Sequence, residues 1–210
     1  MLPEFDKRFY TPVILAIMRF YEKMVKFRGF IAVDIPLFSK ILDFENEIKN
    51  SGANVKLVEP KNIHITLKFL GDTEEKLIEK IEEIIKKSCE EINPFEIKLK
   101  SSGVFPNQNY IKVVWVGLEN VENLEKISIK IDEETSKLGF EKEKRKFSPH
   151  ITLGRVKSAK NKDRLLQIIS KYQDIKFGNI KVKSIELKKS ELTPKGPIYT
   201  TLKEVKLGEE

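Results

Sequence analysis

From residue 27 onward the chain alternates between two hydrophobic rhythms. "FRGFIAVDI" (27–35) is a short, β-rich apolar run that predicts a strand. "LFSKILDFENEIK" (37–49) has helical spacing. "VKLV" (55–58) and "IHITLKFL" (63–70) predict a pair of strands separated by the turn "EPKN". In "DTEEKLIEKIEEIIKKSCEEI" (72–92), Leu77, Ile78, Ile81, Ile84, Ile85 and Ile92 form one stripe. The pair Asp72 and Glu75 reads as a capping box at the start of that helix.

"PFEIKLKSSGVF" and "NYIKVVWVGL" predict an antiparallel hairpin across "PNQ". "VENLEKISIKIDEETSKLG" is a long helix, with Gly139 where a left-handed cap is favoured. The charged run "EKEKRK" (141–146) predicts a solvated loop. "PHITLGRV" follows as a strand and "NKDRLLQIISKYQ" as a helix. "IKVKSIELKKSEL" and "IYTTLKEVKL" are read as two closing strands joined by "TPKGP".

Residues 1–23 are patterned differently. Ile14, Ile17, Phe20 or Tyr21, and Met24 recur at helical spacing, and Pro12 suits a first turn. The expected organisation is an appended amphipathic helix in 1–23 and a single two-lobed domain in 24–210. No linker rich in Pro, Gly or Ser divides the remainder. A signal peptide fits poorly, because Arg19, Glu22 and Lys23 interrupt the apolar run and no small-residue cleavage site follows.

Composition narrows the function classes. The chain has 210 residues, 40% hydrophobic and 34% charged, the profile of a globular protein. No membrane span is expected. One cysteine, Cys89, excludes an internal disulfide, which suits a reducing, cytoplasmic setting, and it lies close to the 77–92 stripe as a small core residue. Two histidines and one cysteine make a tetrahedral zinc site a poor fit; these counts leave a carboxylate-only magnesium site open, and no cofactor is called for. The net charge of +7 suits an anionic partner such as RNA without requiring one. No P-loop and no K-x-D-G sequence occurs, which argues against a P-loop enzyme and lends no support to a lysine-adenylating ligase.

The two histidines, His64 and His150, each begin the same word, His-Ile-Thr-Leu, 86 residues apart. For an average composition that coincidence is about one in a thousand. Duplication alone would account for the repeat, yet it would not explain why the flanking residues diverged around it. On a strand, His64 and Thr66 share one face, with Ile65 and Leu67 on the other. The same holds for His150 and Thr152 against Ile151 and Leu153. Each imidazole thus stands beside a hydroxyl, roughly 7 Å along the strand. Two such pairs across a cleft would supply a base, an acid and two hydroxyl donors to phosphate oxygens, with no metal required.

These residues carry a resemblance. "NIHITLKFLGDT" and "FSPHITLGRVK" resemble the paired H-x-T-hydrophobic motifs of the two-histidine phosphoesterase superfamily. More narrowly, the chain resembles the RNA 2′,3′-cyclic phosphodiesterases, also called 2′-5′ RNA ligases. "RGFIAVDIP", "GVFPNQNYIKVVWVGL" and "LKKSELTPKGPIYTTL" resemble further segments of that family. The resemblance implies an α+β fold: two lobes related by a pseudo-twofold, with antiparallel sheets lining a central cleft and helices outside. It implies hydrolysis of 2′,3′-cyclic phosphate ends of RNA, tRNA fragments among them, to 2′-phosphates, and in reverse a 2′-5′ joining reaction. It implies His64 as proton donor, His150 as proton acceptor, and Thr66 and Thr152 as phosphate ligands.

Four further residues are candidate substrate contacts. Lys68 falls on the His64 face by simple alternation, and Arg155 falls on the face opposite His150. Tyr199 and Phe30 could stack a base, with sheet packing as their ordinary use. Trp115 and Tyr110 are read as sheet aromatics. The alternative function from these residues is an RNA or nucleotide binding module that uses the same cleft without turnover. Oligomeric state is left open by the sequence.

Overall fold

The computed structural model describes residues 26–194 and 196–208. The helix expected in 1–23 lies outside them. The described residues form nine strands and four α-helices: β1 (Lys26–Asp34), α1 (Ser39–Asn50), β2 (Val55–Leu57), β3 (His64–Glu74), α2 (Ile78–Cys89), β4 (Phe95–Pro106), β5 (Ile111–Glu119), α3 (Glu122–Lys137), β6 (His150–Val156), α4 (Lys162–Lys171), β7 (Lys176–Val182), β8 (Ser184–Thr193) and β9 (Gly196–Lys206).

All pairings are antiparallel, in the order β7-β4-β5-β6-β3-β1-β8-β9, with β2 on β6. That order maps onto itself when β3 is exchanged with β6, β1 with β5, β8 with β4 and β9 with β7. The pseudo-twofold implied by the repeated word is therefore present. Its two halves form one continuous sheet and join at one seam, where Ile65 lies opposite Ile151. Helices α2 and α3 pack on each other and on the β3–β9 side; α1 and α4 pack on the β4 side. The aliphatics of both motifs belong to this core: Ile65 and Ile151 are fully buried, as are Ile81, Ile85 and Ile127 on the helices. Burial of the isoleucine stripes, rather than helix propensity, holds the helices to the sheet.

Several boundaries differ from the pattern reading. β2 and β3 do not pair with each other; β2 pairs with β6 through Lys56 and Arg155. The capping box is absent. β3 runs through Asp72 to Glu74, a single 3-10 turn spans Glu75–Leu77, and α2 begins at Ile78 without a side-chain cap. "IKVKSIELKKSEL" is two strands, broken at Lys183, that lie in opposite halves of the sheet. Gly139 does take the left-handed conformation (φ +95°) just beyond α3. Cys89 is buried at the end of α2, and burial pushes its thiol up to about 12.

Both motif strands carry a register shift at the same point. Ala32 pairs with Thr66 but Ile31 with Lys68, so Leu67 is an extra residue. Trp115 pairs with Thr152 but Val114 with Gly154, so Leu153 is extra. A β-bulge changes which face the following residues occupy. Accordingly Leu67 and Lys68 are both buried and Phe69 is exposed; Leu153 and Gly154 are both buried and Arg155 is exposed. Strict alternation fails at the fourth residue after each histidine, in both copies.

Candidate active site

Because Ile65 and Ile151 point into the core, their neighbours point to the other side of the sheet. His64, Thr66, His150 and Thr152 therefore share the face opposite these two isoleucines, around the seam. Antiparallel register sets His64 beside Thr152 and Thr66 beside His150. The two imidazoles are close enough that a charge on His150 disfavours one on His64.

Each imidazole is oriented in the same way. His64 Nδ1 donates to the carbonyl of Asn62 at 2.7 Å, and His150 Nδ1 donates to the carbonyl of Ser148 at 2.8 Å. A carbonyl can only accept, so Nδ1 carries the proton and Nε2 is left for substrate. Any residue offers a carbonyl two positions upstream, so no side-chain signal in the sequence marks these contacts. The Thr66 and Thr152 hydroxyls make no hydrogen bond to a described residue, and remain donors for a phosphate.

The surroundings of the two histidines differ. His64 sits 5.0 Å from the Phe30 ring and 5.3 Å from Tyr199, which meets it edge-on. Burial is the largest influence on His64 and holds its pKa below the usual histidine value. The Asn62 carbonyl and the Asp34 charge act in the opposite sense, and Lys188 and His150 reinforce the lowering. Asp34 faces His64 across β1 and β3. Its carboxylate is held by Lys188 at 2.5 Å; Lys188 also bonds Glu186 at 2.9 Å, which accepts from Thr201 at 2.7 Å. Pattern reading missed this network, because a Lys and a Glu at alternate positions of an apolar strand look like an exposed face. His150 instead meets Phe105 edge-on at 4.9 Å, and Phe105 rests 5.3 Å from Trp115. Trp115 shares the face of Thr152, so it floors the cleft.

Among the other candidates, Lys68 is corrected. Placed at the bulge, it is 6% exposed and spends its ammonium on Asp132 and the Glu141 carbonyl, 2.6 Å away. It braces the wall of the groove that Thr66 and His150 also line. Arg155 is corrected in the other sense: the bulge exposes it, and its charge, with that of Arg28, reaches Tyr199. Burial pushes the Tyr199 phenol up, against the pull of these two guanidiniums. Neither Arg28 nor Arg155 forms an ion pair with a described residue. Phe30 and Tyr199 pack on each other at 4.9 Å; Phe30 is buried and Tyr199 is half-buried. Tyr110 is exposed, with the Lys112 ammonium over its ring.

No cluster of metal-binding side chains occurs among the described residues. No helix among them is long and apolar enough to cross a membrane.

A curled antiparallel sheet with one H-x-T pair on either side of its seam defines the protein as a two-histidine phosphoesterase. Residues 16–207 match the family described as AKAP7 2'5' RNA ligase-like domain, and the chain belongs to that family. It is 49% identical over 179 residues to an RNA 2',3'-cyclic phosphodiesterase of Methanocaldococcus jannaschii, covering 84% of this chain and 99% of the relative. It is 42% identical over 185 residues to one of Methanothermobacter thermautotrophicus, covering 87% of this chain and 100% of the relative. In structure it is similar to a crystallised Thermus thermophilus protein (TM-score 0.73, 26% identity, 86% of this chain and 97% of that one). The fold is also that of E. coli LigT complexed with 3'-AMP (TM-score 0.66, 21% identity, 88% of this chain and 100% of that one).

Proposed function

We propose that this protein is an RNA 2′,3′-cyclic phosphodiesterase that opens the cyclic phosphate to a 2′-phosphate by acid–base catalysis between His64 and His150. The observation that carries the reading is the matched presentation of the two imidazoles. Each has Nδ1 fixed by a carbonyl and Nε2 left for substrate, on one face of one seam, beside an unengaged threonine hydroxyl.

In the reaction, water attacks phosphorus while the bond from phosphorus to the 3′ oxygen breaks. His150 Nε2 accepts the proton from water. His64 Nε2 delivers a proton to the departing 3′ oxygen, leaving a 3′-hydroxyl and a 2′-phosphate. Thr66 and Thr152 donate to the nonbridging oxygens as charge builds on them. The buried His64 holds its proton weakly, and a phosphodiester anion beside it favours the imidazolium and prepares it to donate. Tyr199, Phe30 and Arg155 flank His64, where they can hold the terminal nucleoside. Replacement of water by a 5′-hydroxyl would give the 2′-5′ joining reaction through the same groups.

Turnover of a 2′,3′-cyclic nucleotide in the presence of EDTA, with the product identified as the 2′-phosphate, tests this reading. Activity that vanishes on chelation and returns with magnesium would contradict it. Tight binding with no turnover would favour the binding-module alternative. A chain beginning at Met24 should keep its turnover, because residues 1–23 supply none of these groups.

A further inference from the structure

The two motifs share His-Ile-Thr-Leu, but the residue two places ahead of the histidine differs: Asn62 before His64, Ser148 before His150. Each supplies the carbonyl that fixes Nδ1 of its histidine. Ser148 is exposed and is followed by Pro149, whose ring restricts the serine backbone to extended conformations. Asn62 is followed by Ile63, which imposes no such restriction. Asn62 is instead 4% exposed and engaged at both ends. It closes a 3-10 turn, Pro60–Asn62, in which its backbone amide donates to the Glu59 carbonyl at 2.7 Å. Its side-chain Nδ2 donates to the Pro197 carbonyl at 3.0 Å. A carbonyl can only accept, so this contact also settles which way the amide is turned.

Pro197 lies near the tip of the β8–β9 hairpin, opposite Leu192, and β9 is the last strand of the sheet. Leu192 and Ile198 at the tip are 71% and 48% exposed, so apolar burial does little to hold the tip in place. The Thr193 hydroxyl bonds within the turn, to Gly196. Among the described residues, the Asn62 amide makes the one side-chain hydrogen bond that ties residues 191–199 to another element. Tyr199, two residues beyond Pro197, is the ring that meets His64 edge-on at 5.3 Å. One buried side chain thus joins the hairpin that walls His64 to the peptide that orients it.

Resting on the assignment of His64 as proton donor, we propose that Asn62 is the positioning residue of that donor: its side-chain amide, anchored on Pro197, holds its own carbonyl against His64 Nδ1 and Tyr199 against the ring. The direction of the Asn62 carbonyl is set by a soft backbone rotation, which nothing covalent restrains ahead of β3. A side chain pinned at its far end limits that rotation. With the carbonyl in place Nδ1 keeps its proton, so the proton that His64 takes up and delivers is carried on Nε2. Without it the neutral ring can hold its proton on either nitrogen and loses its aim. The two motifs thus solve one problem in two ways. Pro149 restrains the carbonyl donor to His150 through the chain itself, and Asn62 restrains the carbonyl donor to His64 through a bond to a distant strand.

The test reads His64 by NMR and by rate. In alkaline solution both imidazoles are neutral, and nitrogen chemical shifts tell a protonated ring nitrogen from a bare one. The chain has only two histidines, so His150→Ala identifies the His64 signals. Wild-type His64 should be protonated on Nδ1; in Asn62→Ala it should populate the Nε2–H tautomer, while His150 stays protonated on Nδ1. On a 2′,3′-cyclic nucleotide the kcat of Asn62→Ala should fall about tenfold. On a nitrophenyl phosphodiester, whose leaving group needs little protonation, it should stay within about threefold. Added to His64→Ala, Asn62→Ala should cost at most about twofold more. Equal losses on both substrates with the tautomer unchanged, or no loss on either, would overturn the proposal. Asn62→Leu fills much the same volume without a donor and takes the place of the alanine variant if that one does not fold. In the wild type itself the Asn62 side-chain amide should exchange slowly with solvent; fast exchange overturns the proposal with no substitution at all. Should the wild type turn over neither substrate, the phosphodiesterase reading fails, and the His64 tautomer in Asn62→Ala still decides whether Asn62 holds the ring.

Discussion

Ile65 and Ile151 face each other across β3 and β6, both fully buried, and this single pair sets the geometry of the whole site. On the opposite face it places each histidine beside the threonine of the other motif. The two hydroxyls are then equivalent by symmetry, each one donor among several to the phosphate. Thr66→Ala and Thr152→Ala should each lower turnover by about tenfold, well short of a histidine deletion. Steady-state rates on a cyclic nucleotide check this; a loss at one threonine comparable to a histidine loss would mean that the symmetry does not extend to the phosphate.

The histidines themselves are expected to be much less dispensable. His64→Ala and His150→Ala should each cost at least about 10²-fold in kcat, with binding of a 2′-phosphate product far less affected. A nitrophenyl phosphodiester separates their roles, since its leaving group needs little protonation. His64→Ala should recover much of its rate on that substrate and His150→Ala should not. Recovery in the opposite variant reverses the assignment.

Asp34 offers a second way to read the same assignment. Its charge raises the pKa of His64, against the lowering by burial, and Lys188 pins its carboxylate. If His64 acts as the acid, kcat/KM falls as pH rises through its pKa in the free protein. Asp34→Asn removes the supporting charge and leaves that of Lys188, so the fall moves to lower pH. The rate should drop at neutral pH and recover on acidification, with the natural leaving group only. A shift of the acidic limb instead, with no loss at neutral pH, would make His64 the base.

The core of the site was legible because two strands encode it locally. His64, Thr66, His150 and Thr152 share a face by period-two alternation, which the sequence displays directly. The limits of that reading appear at Leu67 and Leu153. A bulge depends on the partner strand, β1 in one case and β5 in the other, and nothing in "HITLKF" or "HITLGR" announces it. Hence Lys68 was placed on the cleft face, and Arg155 off it, by the same rule. The break at Lys183 did leave a trace: in "IKVKSIEL" the apolar positions change phase, from Ile180 and Val182 to Ile185 and Leu187, across Lys183 and Ser184, although nothing local says that the two parts join opposite halves of the sheet. Asp34 and Lys188 come together across 154 residues, a distance that no periodicity reports.

Lys68 can be tested as a structural residue. Its removal would strand Asp132, which is itself mostly buried. Lys68→Met should therefore destabilise the fold by about 3 kcal/mol in denaturant unfolding, while Lys68→Met with Asp132→Leu costs much less. KM for a cyclic mononucleotide should be unchanged in the folded single variant. A large rise in KM without a loss of stability would return Lys68 to the substrate.

Glu45 carries the last prediction. It lies on α1, 4% exposed, with Oε1 lacking any hydrogen-bond partner among the described residues. Burial raises its carboxyl from 4.5 to about 7, with Lys49 opposing the rise only in part. The folded protein therefore binds a proton here that the unfolded chain has already released once pH exceeds 4.5. Stability contributed by this group falls as pH rises from about 4.5 to about 7 and is constant above that, a total of at most about 3 kcal/mol. Glu45→Gln keeps the shape and carries no charge, so its stability should lack this decline. Relative to wild type the variant should be level or weaker near pH 4.5 and should gain steadily up to pH 7, as read from urea midpoints across that window. Parallel curves for the two proteins would show that the carboxyl is not held neutral in the fold.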